Sequence, residues 1–276
     1  MSTTTNTPAG SPPAAGRYTF DNATPEAANQ VRLLAEILDD HSTSVLARLD
    51  PEPGWRCLDL GSGAGSVATW LASRVSPTGR VTAIDTDPRH IPTHDLVHIR
   101  QGDATELDLG DKEYDLIHAR LLTMHLEQRR TLLGRMTRAL KPGGLLVLSE
   151  WDCTNTDTML LRGTAEAAQA FAAFQEKLLA LAVTNGASLN WAREVPLAMH
   201  HAGLIDIESE VHSRLWAGGE AGCLLHASNS RQMESALLAA GMTTAYLTTL
   251  RRAMSDPATL TWMYPMVTTV GRRAEN

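Results

Sequence analysis

Residues 58–66 read LDLGSGAGS, and they constrain the fold of this 276-residue chain more than any other stretch. An apolar run enters glycines at the alternate positions 61, 63 and 65 and leaves them in a helical pattern, SVATWLASR, at residues 66–74. That is a strand, a tight turn and a helix N-terminus. Glycine is required where backbone turns sharply and comes within contact distance of a ligand. The helix behind the turn directs its free N–H groups and the positive end of its dipole across the loop. Such a turn seats a nucleotide or cofactor, and the neighbouring segments decide which.

Those segments alternate strand with helix. Thr24 caps and Pro25 starts an amphipathic helix with Val31, Leu34, Ile37 and Leu38 on one face, and a second short helix at residues 44–49 ends at Pro51-Glu52-Pro53-Gly54. Strands are predicted at 80–85, 96–100, 114–119 and 145–149; Pro92 keeps the helix after Asp87 short, and residues 127–140 form a longer one before the turn Lys141-Pro142-Gly143-Gly144. A parallel sheet covered by helices on both faces follows. The C-terminal third differs: helical stretches at 158–183, 190–202 (kinked or restarted at Pro196) and 219–255, a strand at 205–216, and a final edge strand at 263–273 that tolerates Pro265. The division expected is a disordered tail at 1–16, a helical lid at 17–54, and one domain at 55–276 with cap insertions at about 158–202 and 219–255 over the carboxyl ends of the strands.

Composition narrows the function. A formal charge of −7 argues against a partner held through phosphates, so no nucleic acid is expected. No apolar run approaches the roughly 18 residues of a membrane span, and no signal peptide precedes the fold, so a cytoplasmic protein without a membrane partner is expected. Cys57, Cys153 and Cys223 are widely spaced with no CxxC, which reads as buried thiols and no metal site.

Two cofactors suit the glycine loop: a dinucleotide, and S-adenosylmethionine. Asp85, at the end of the second strand, can accept from ribose hydroxyls in either. Three features favour the second. Ser66 stands where the dinucleotide pattern GxGxxG needs glycine or alanine. Asp59 places an acid just before the loop, unfavourable for a pyrophosphate but suited to the cationic amine of an amino acid, directly or as an acid that holds the loop. Asp103 can accept from an adenine amino group beside the N–H of Ala104, with a turn cap as its alternative role.

The set LDLGSGAGS (58–66), AIDTDP (83–88), QGDATEL (101–107), YDLIHARLLTMHL (114–126) and LKPGGLLVLSE (140–150) resembles the class I S-adenosylmethionine-dependent methyltransferases, nearest the small-molecule branch of ubiquinone/menaquinone-type and antibiotic-tailoring enzymes. The resemblance covers residues 55–150. It implies a Rossmann-like α/β fold, a seven-stranded, mostly parallel sheet whose last strand is reversed. It also implies that Gly61, Ser62 and Gly63 lie along the methionine moiety, Asp85 and Thr86 at the ribose, and Asp103 and Ala104 at the adenine. Ala119 and Arg120 would lie near the methionine carboxylate or the methyl group, and a lid helix makes Tyr18 and Gln30 candidate cofactor contacts.

Methyl transfer is an in-line displacement, and the protein's main task is to align the reactants and exclude water. A general base is needed only when the acceptor must lose a proton. His125 is the best-placed imidazole, with a hydrogen bond at the helix start as its other role, and Glu150 is the carboxylate paired with it. Trp151, Asp152 and Trp191 are the acceptor-side candidates. The catechol-type carboxylate after strand four and an NPPY-like tetrapeptide are both missing, which leaves small-molecule acceptors. The expected function is methylation of a small, apolar or aromatic metabolite, as in natural-product biosynthesis. A non-catalytic S-adenosylmethionine-binding protein and an NAD(P)-dependent oxidoreductase are the alternatives, and a homo-oligomer is left open.

Overall fold

The computed structural model describes residues 25–275. The predicted tail and Tyr18 lie outside them. In chain order the elements are α1 (Pro25–Arg48), β1 (Arg56–Leu60), α2 (Ser66–Val75), β2 (Arg80–Asp85), β3 (Val97–Gln101), β4 (Tyr114–Arg120), α3 (Arg129–Ala139), β5 (Leu140–Trp151) and β6 (Leu160–Arg162). Then come α4 (Ala165–Thr184), α5 (Trp191–His201), β7 (Leu204–His212), β8 (Leu215–Ala217), α6 (Ala221–Gln232), α7 (Glu234–Ala239), α8 (Thr244–Ala253), β9 (Leu260–Trp262) and β10 (Met266–Arg273). Short 3-10 turns at Pro88–His90 and Thr123–His125 follow β2 and β4.

The main sheet has seven strands in the order β3-β2-β1-β4-β5-β10-β7. Its first five strands pair in parallel, and β10 runs antiparallel to both β5 and β7. The reversed last strand is thus present. It is not the edge strand that the sequence suggested, because it inserts between two others. Pro265 stands just before it, where its carbonyl accepts from Asp152 N at 2.9 Å and no ladder donor is lost.

Strand alternation splits the core into two layers. Leu58, Leu60, Ile117, Leu146 and Leu148 face α3, α4 and α5, whereas Cys57, Leu116, Leu145 and Val147 face α1 and α2. Asp59 and His118 share the second face with those apolar residues.

Several predicted boundaries move for local reasons. α1 is one helix and not two; no glycine or proline interrupts residues 39–48, and Thr43 bonds back to Asp39 O at 2.8 Å without leaving the helix. The Lys141–Gly144 turn lies within β5, where the register with β4 shifts between Tyr114 and Leu116 and takes up the extra residues. Residues 160–162 form a strand, and α4 begins after Thr164, whose hydroxyl accepts from Ala167 N at 3.1 Å. The stretch 219–255 divides into three helices, the last capped by Thr243. β6, β9 and β8 make a second, antiparallel sheet that the sequence did not announce.

α5 lies against β5, β7 and β10 as part of the sheet's cover, while α6 packs on α1 and α8 on α4. Two buried or half-buried hydrogen bonds from side-chain amides join lid to cap: Gln30 Nε2 donates to Asn229 Oδ1 at 2.9 Å and Asn29 Nδ2 to Ser228 Oγ at 3.3 Å.

Candidate active site

The glycine loop is shaped by backbone conformation and one carboxylate. Gly61 and Gly63 adopt φ of 69° and 54°, a region that side-chain-bearing residues rarely occupy. The N–H groups of Gly61 and Ser62 both reach Ile84 O, at 2.8 and 3.2 Å, which fastens the loop to the end of β2. Asp85 completes the seat: Oδ2 accepts from Gly63 N at 2.8 Å and Oδ1 from Asp87 N at 2.9 Å. Burial raises the pKa of this carboxyl, and the two backbone donors oppose the rise. A carboxylate takes about four hydrogen bonds, so each oxygen keeps a lone pair for another donor.

Behind the loop, Asp59 and His118 are directly opposed in the β1–β4 ladder. Asp59 Oδ1 and His118 Nδ1 are 2.7 Å apart, with side chains 3% and 2% exposed. Asp59 Oδ2 and His118 Nε2 are buried and have no partner among the described residues.

The other cofactor-side residues are placed as follows. Asp103 is exposed; Oδ1 closes the turn by accepting from Thr105 N and Oγ1, both at 2.7 Å, so the capping role is real and Oδ2 is the oxygen left for a ligand. Ala104 is buried beside it, and Thr86 is exposed with its carbonyl bonded to Gln101 Nε2 at 3.0 Å. Ala119 is fully buried in the core. Arg120 points to α1, where Nη1 donates to Asp39 Oδ1 and Ser42 Oγ, each at 2.9 Å. Asp39 also accepts from Ser66 Oγ at 3.0 Å, so Arg120 ties the lid helix to the start of α2. Nη1 of Arg120, expected near the methionine carboxylate or the methyl group, is thus engaged by α1.

A cavity of about 60 Å³ lies past the ends of β4 and β5, lined by α1, α4 and α6. Gln30, Leu34, Met124, His125, Trp151, Leu178, Leu225, Asn229 and Tyr264 are among its walls. Two acceptor-side expectations therefore sit on it, His125 and Trp151. Burial, and then the Arg129 cation, push the His125 pKa down to about 4, so its ring is neutral near pH 7.

The other three acceptor-side residues are corrected. Glu150 is fully buried and does not line the cavity; Oε1 accepts from Thr123 N at 2.7 Å, Thr123 Oγ1 at 2.5 Å and Met124 N at 3.3 Å. It holds the turn that carries His125. Asp152 does not line the cavity either; it accepts from Thr154 N and Oγ1, at 3.1 and 2.6 Å, and from Arg193 Nε at 2.5 Å. Trp191 is fully buried, donates Nε1 to Thr123 Oγ1 at 2.7 Å and packs under Arg129 and Arg130. Tyr264 and Asn229 were missed as wall residues. The only sequence signal for Tyr264 was its place beside Pro265 at the strand entrance.

Among the described residues no group of three or more His, Cys, Asp or Glu could hold a metal, and no helix is long and apolar enough to cross a membrane.

A seven-stranded sheet in this order, with a glycine loop after β1 and an acid after β2, defines the Rossmann-like methyltransferase fold. Comparison with known proteins agrees. Residues 58–148 match the family model described as a methyltransferase domain. The chain is 27% identical over 141 residues to methyltransferase GfsG of Streptomyces halstedii, covering 48% of each chain. It is 29% identical over 113 residues to the demethylmenaquinone methyltransferase of Staphylococcus aureus, covering 38% of this chain and 47% of that one. The fold is similar to that of phosphoethanolamine N-methyltransferase 2 of Haemonchus contortus in complex with S-adenosyl-L-methionine, with a TM-score of 0.55 and 17% identity over 92% of this chain and 58% of that one. These matches span about half the length of the curated relatives. Residues 58–148 thus carry a methyltransferase domain, and the chain's fold is similar to that of S-adenosylmethionine-dependent methyltransferases.

Proposed function

We propose that the protein binds S-adenosylmethionine at the glycine loop and transfers its methyl group to a small, mainly apolar metabolite in the adjoining cavity. The observation that carries this reading is Asp85, which fixes the loop through Gly63 and still has a lone pair on each oxygen for the vicinal hydroxyls of a ribose. The residues present fit the cofactor in two further ways. Asp59 Oδ2 is a buried acceptor suited to an ammonium group, and Asp103 Oδ2 is suited to an adenine amine. A pyrophosphate would be repelled by Asp59.

When bound, the cofactor supplies an electrophilic methyl carbon. The chain's own part is alignment. Leu34, Met124, Trp151, Leu178 and Leu225 exclude water and hold an apolar acceptor, and Gln30 with Asn229 offers amide groups to one polar substituent. His125, neutral near pH 7, faces the acceptor as a hydrogen-bond partner or proton acceptor. Glu150 acts through the His125 turn and not on the acceptor. The likeness to methyltransferase GfsG of Streptomyces halstedii and to O-methyltransferase cnsE of Penicillium expansum supports a small-molecule acceptor of the natural-product kind.

Titration calorimetry with S-adenosylhomocysteine, S-adenosylmethionine and NADH tests the cofactor. Submicromolar to micromolar binding of the first two with none of NADH is expected, and binding of NADH alone overturns the reading. Transfer of a labelled methyl group into a panel of quinols, phenols and other small apolar metabolites tests the reaction. A cofactor-binding protein that labels none of them is not the small-molecule enzyme proposed.

A further inference from the structure

We infer that His118 is a positioning residue for the amino-acid end of the cofactor, acting through Asp59. The inference rests on the reading above and deepens it by assigning a function to a histidine outside the glycine loop. Asp59 and His118 lie opposite each other on β1 and β4, one and two residues short of their strand ends, and their side chains enter an apolar layer formed by Cys57, Leu116 and Val147 among others. A charged carboxylate in such a layer needs hydrogen bonds. His118 supplies one to Oδ1 at 2.7 Å. Oδ2 receives none from the described residues.

The pair has a direction. Asp59 Oδ1 is an acceptor, so Nδ1 of the ring carries the hydrogen and donates it. This fixes the carboxylate's torsion and commits Oδ1, which leaves Oδ2 as the oxygen available to an incoming cation. An acceptor oxygen with no donor of its own is the partner that an ammonium group needs. The methionine end of the cofactor carries such a group, and the loop at Gly61–Gly63 is where that end would lie. Ser62 Oγ bonds to Asp59 O at 2.8 Å, so the loop and the pair are also joined through the chain. A histidine that served only to fill the layer would need no hydrogen bond to the acid and would be equally well replaced by leucine.

The test compares S-adenosylhomocysteine with 5′-methylthioadenosine, which shares the nucleoside but lacks the amino-acid end. Asparagine places its amide nitrogen where Nδ1 stands, whereas glutamine places its own nearer Nε2. We expect His118→Asn to bind S-adenosylhomocysteine within about threefold of wild type, and His118→Gln to bind it about tenfold or more weakly, the loss of one charge-assisted hydrogen bond. Both should bind 5′-methylthioadenosine within about twofold of wild type, which also reports that they fold. Equal S-adenosylhomocysteine affinity in the two variants, or a parallel loss of 5′-methylthioadenosine, overturns the inference. A second measurement needs no variant: nitrogen-15 spectra of the wild-type ring should show the hydrogen on Nδ1, and a ring protonated on Nε2 alone overturns it. Failure of the wild type to bind either compound would instead reject the adenosyl reading itself.

Discussion

Gly63 N donates to Asp85 Oδ2 at 2.8 Å, across 22 residues of sequence, and this bond fastens the glycine loop of β1 to the acid that ends β2. The same carboxylate therefore shapes the loop and offers the remaining lone pairs to a ligand. Asp85→Ala should weaken S-adenosylhomocysteine binding by roughly 100-fold, the loss of two hydrogen bonds to a charged group. Calorimetry measures it. A change within about threefold would remove Asp85 from the site.

The amide pair Gln30–Asn229 joins α1 to α6 over a cavity of about 60 Å³, far below the ~300 Å³ or more of a small-molecule site. The pair therefore bears on how far this part of the cavity can widen for an acceptor. Gln30→Ala and Asn229→Ala should each raise hydrogen exchange of α1 amides about fivefold, from about 1 kcal/mol per bond. A double-mutant cycle should show the two changes to be non-additive. Full additivity would mean that the bond contributes nothing to closure.

Glu150 gives the protein a pH-dependent stability. Burial raises its pKa from 4.5 to about 7 despite three donors from residues 123 and 124. A group whose folded pKa lies above its unfolded value binds its proton more tightly in the native state. Its contribution is fully present below pH 4.5 and is lost as pH rises through about 7, on the order of 3 kcal/mol in all. Glu150→Gln keeps an acceptor for Thr123 and cannot ionise. Urea unfolding at pH 5 and pH 8 should therefore show wild type losing stability relative to this variant at the higher pH; an unchanged difference would refute the assignment.

His226 acts with the opposite sign. It is 1% exposed, surrounded edge-on by Phe171, Phe174 and Tyr264, and neither ring nitrogen has a partner among the described residues. Burial lowers its pKa to about 4 from 6.5, so stability is held above pH 6.5 and lost as pH falls toward 4. His226→Phe should leave the fold intact, raise stability at pH 7 by about 1 kcal/mol and move the acid midpoint to lower pH. Loss of stability at pH 7 would show that the imidazole makes a contact of its own.

Much of this was legible along the chain. Asp85 could be placed at the strand end beside the glycine turn because a strand, its final acid and the turn are short-range patterns, and α2 and β2 fall where the periodicity put them. The acceptor side was harder. Glu150, Asp152 and Trp191 occupy the right strand ends and helix start, yet Glu150 Oε1 and Trp191 Nε1 are engaged by Thr123, and Asp152 by Thr154 and Arg193. Sequence position gives no sign of such competition between hydrogen-bond donors.

The sequence by itself determined the alternation of strands and helices, the glycine bend and the acids that flank it, because those depend on backbone conformation and on neighbours a few residues away. Only the tertiary structure decided which polar groups face the cavity and which are already engaged. Gln30 meets Asn229 across 199 residues and Asp59 meets His118 across 59. Such partnerships are set by strand order and by the side of the sheet on which each chain segment lands, and no local pattern encodes either.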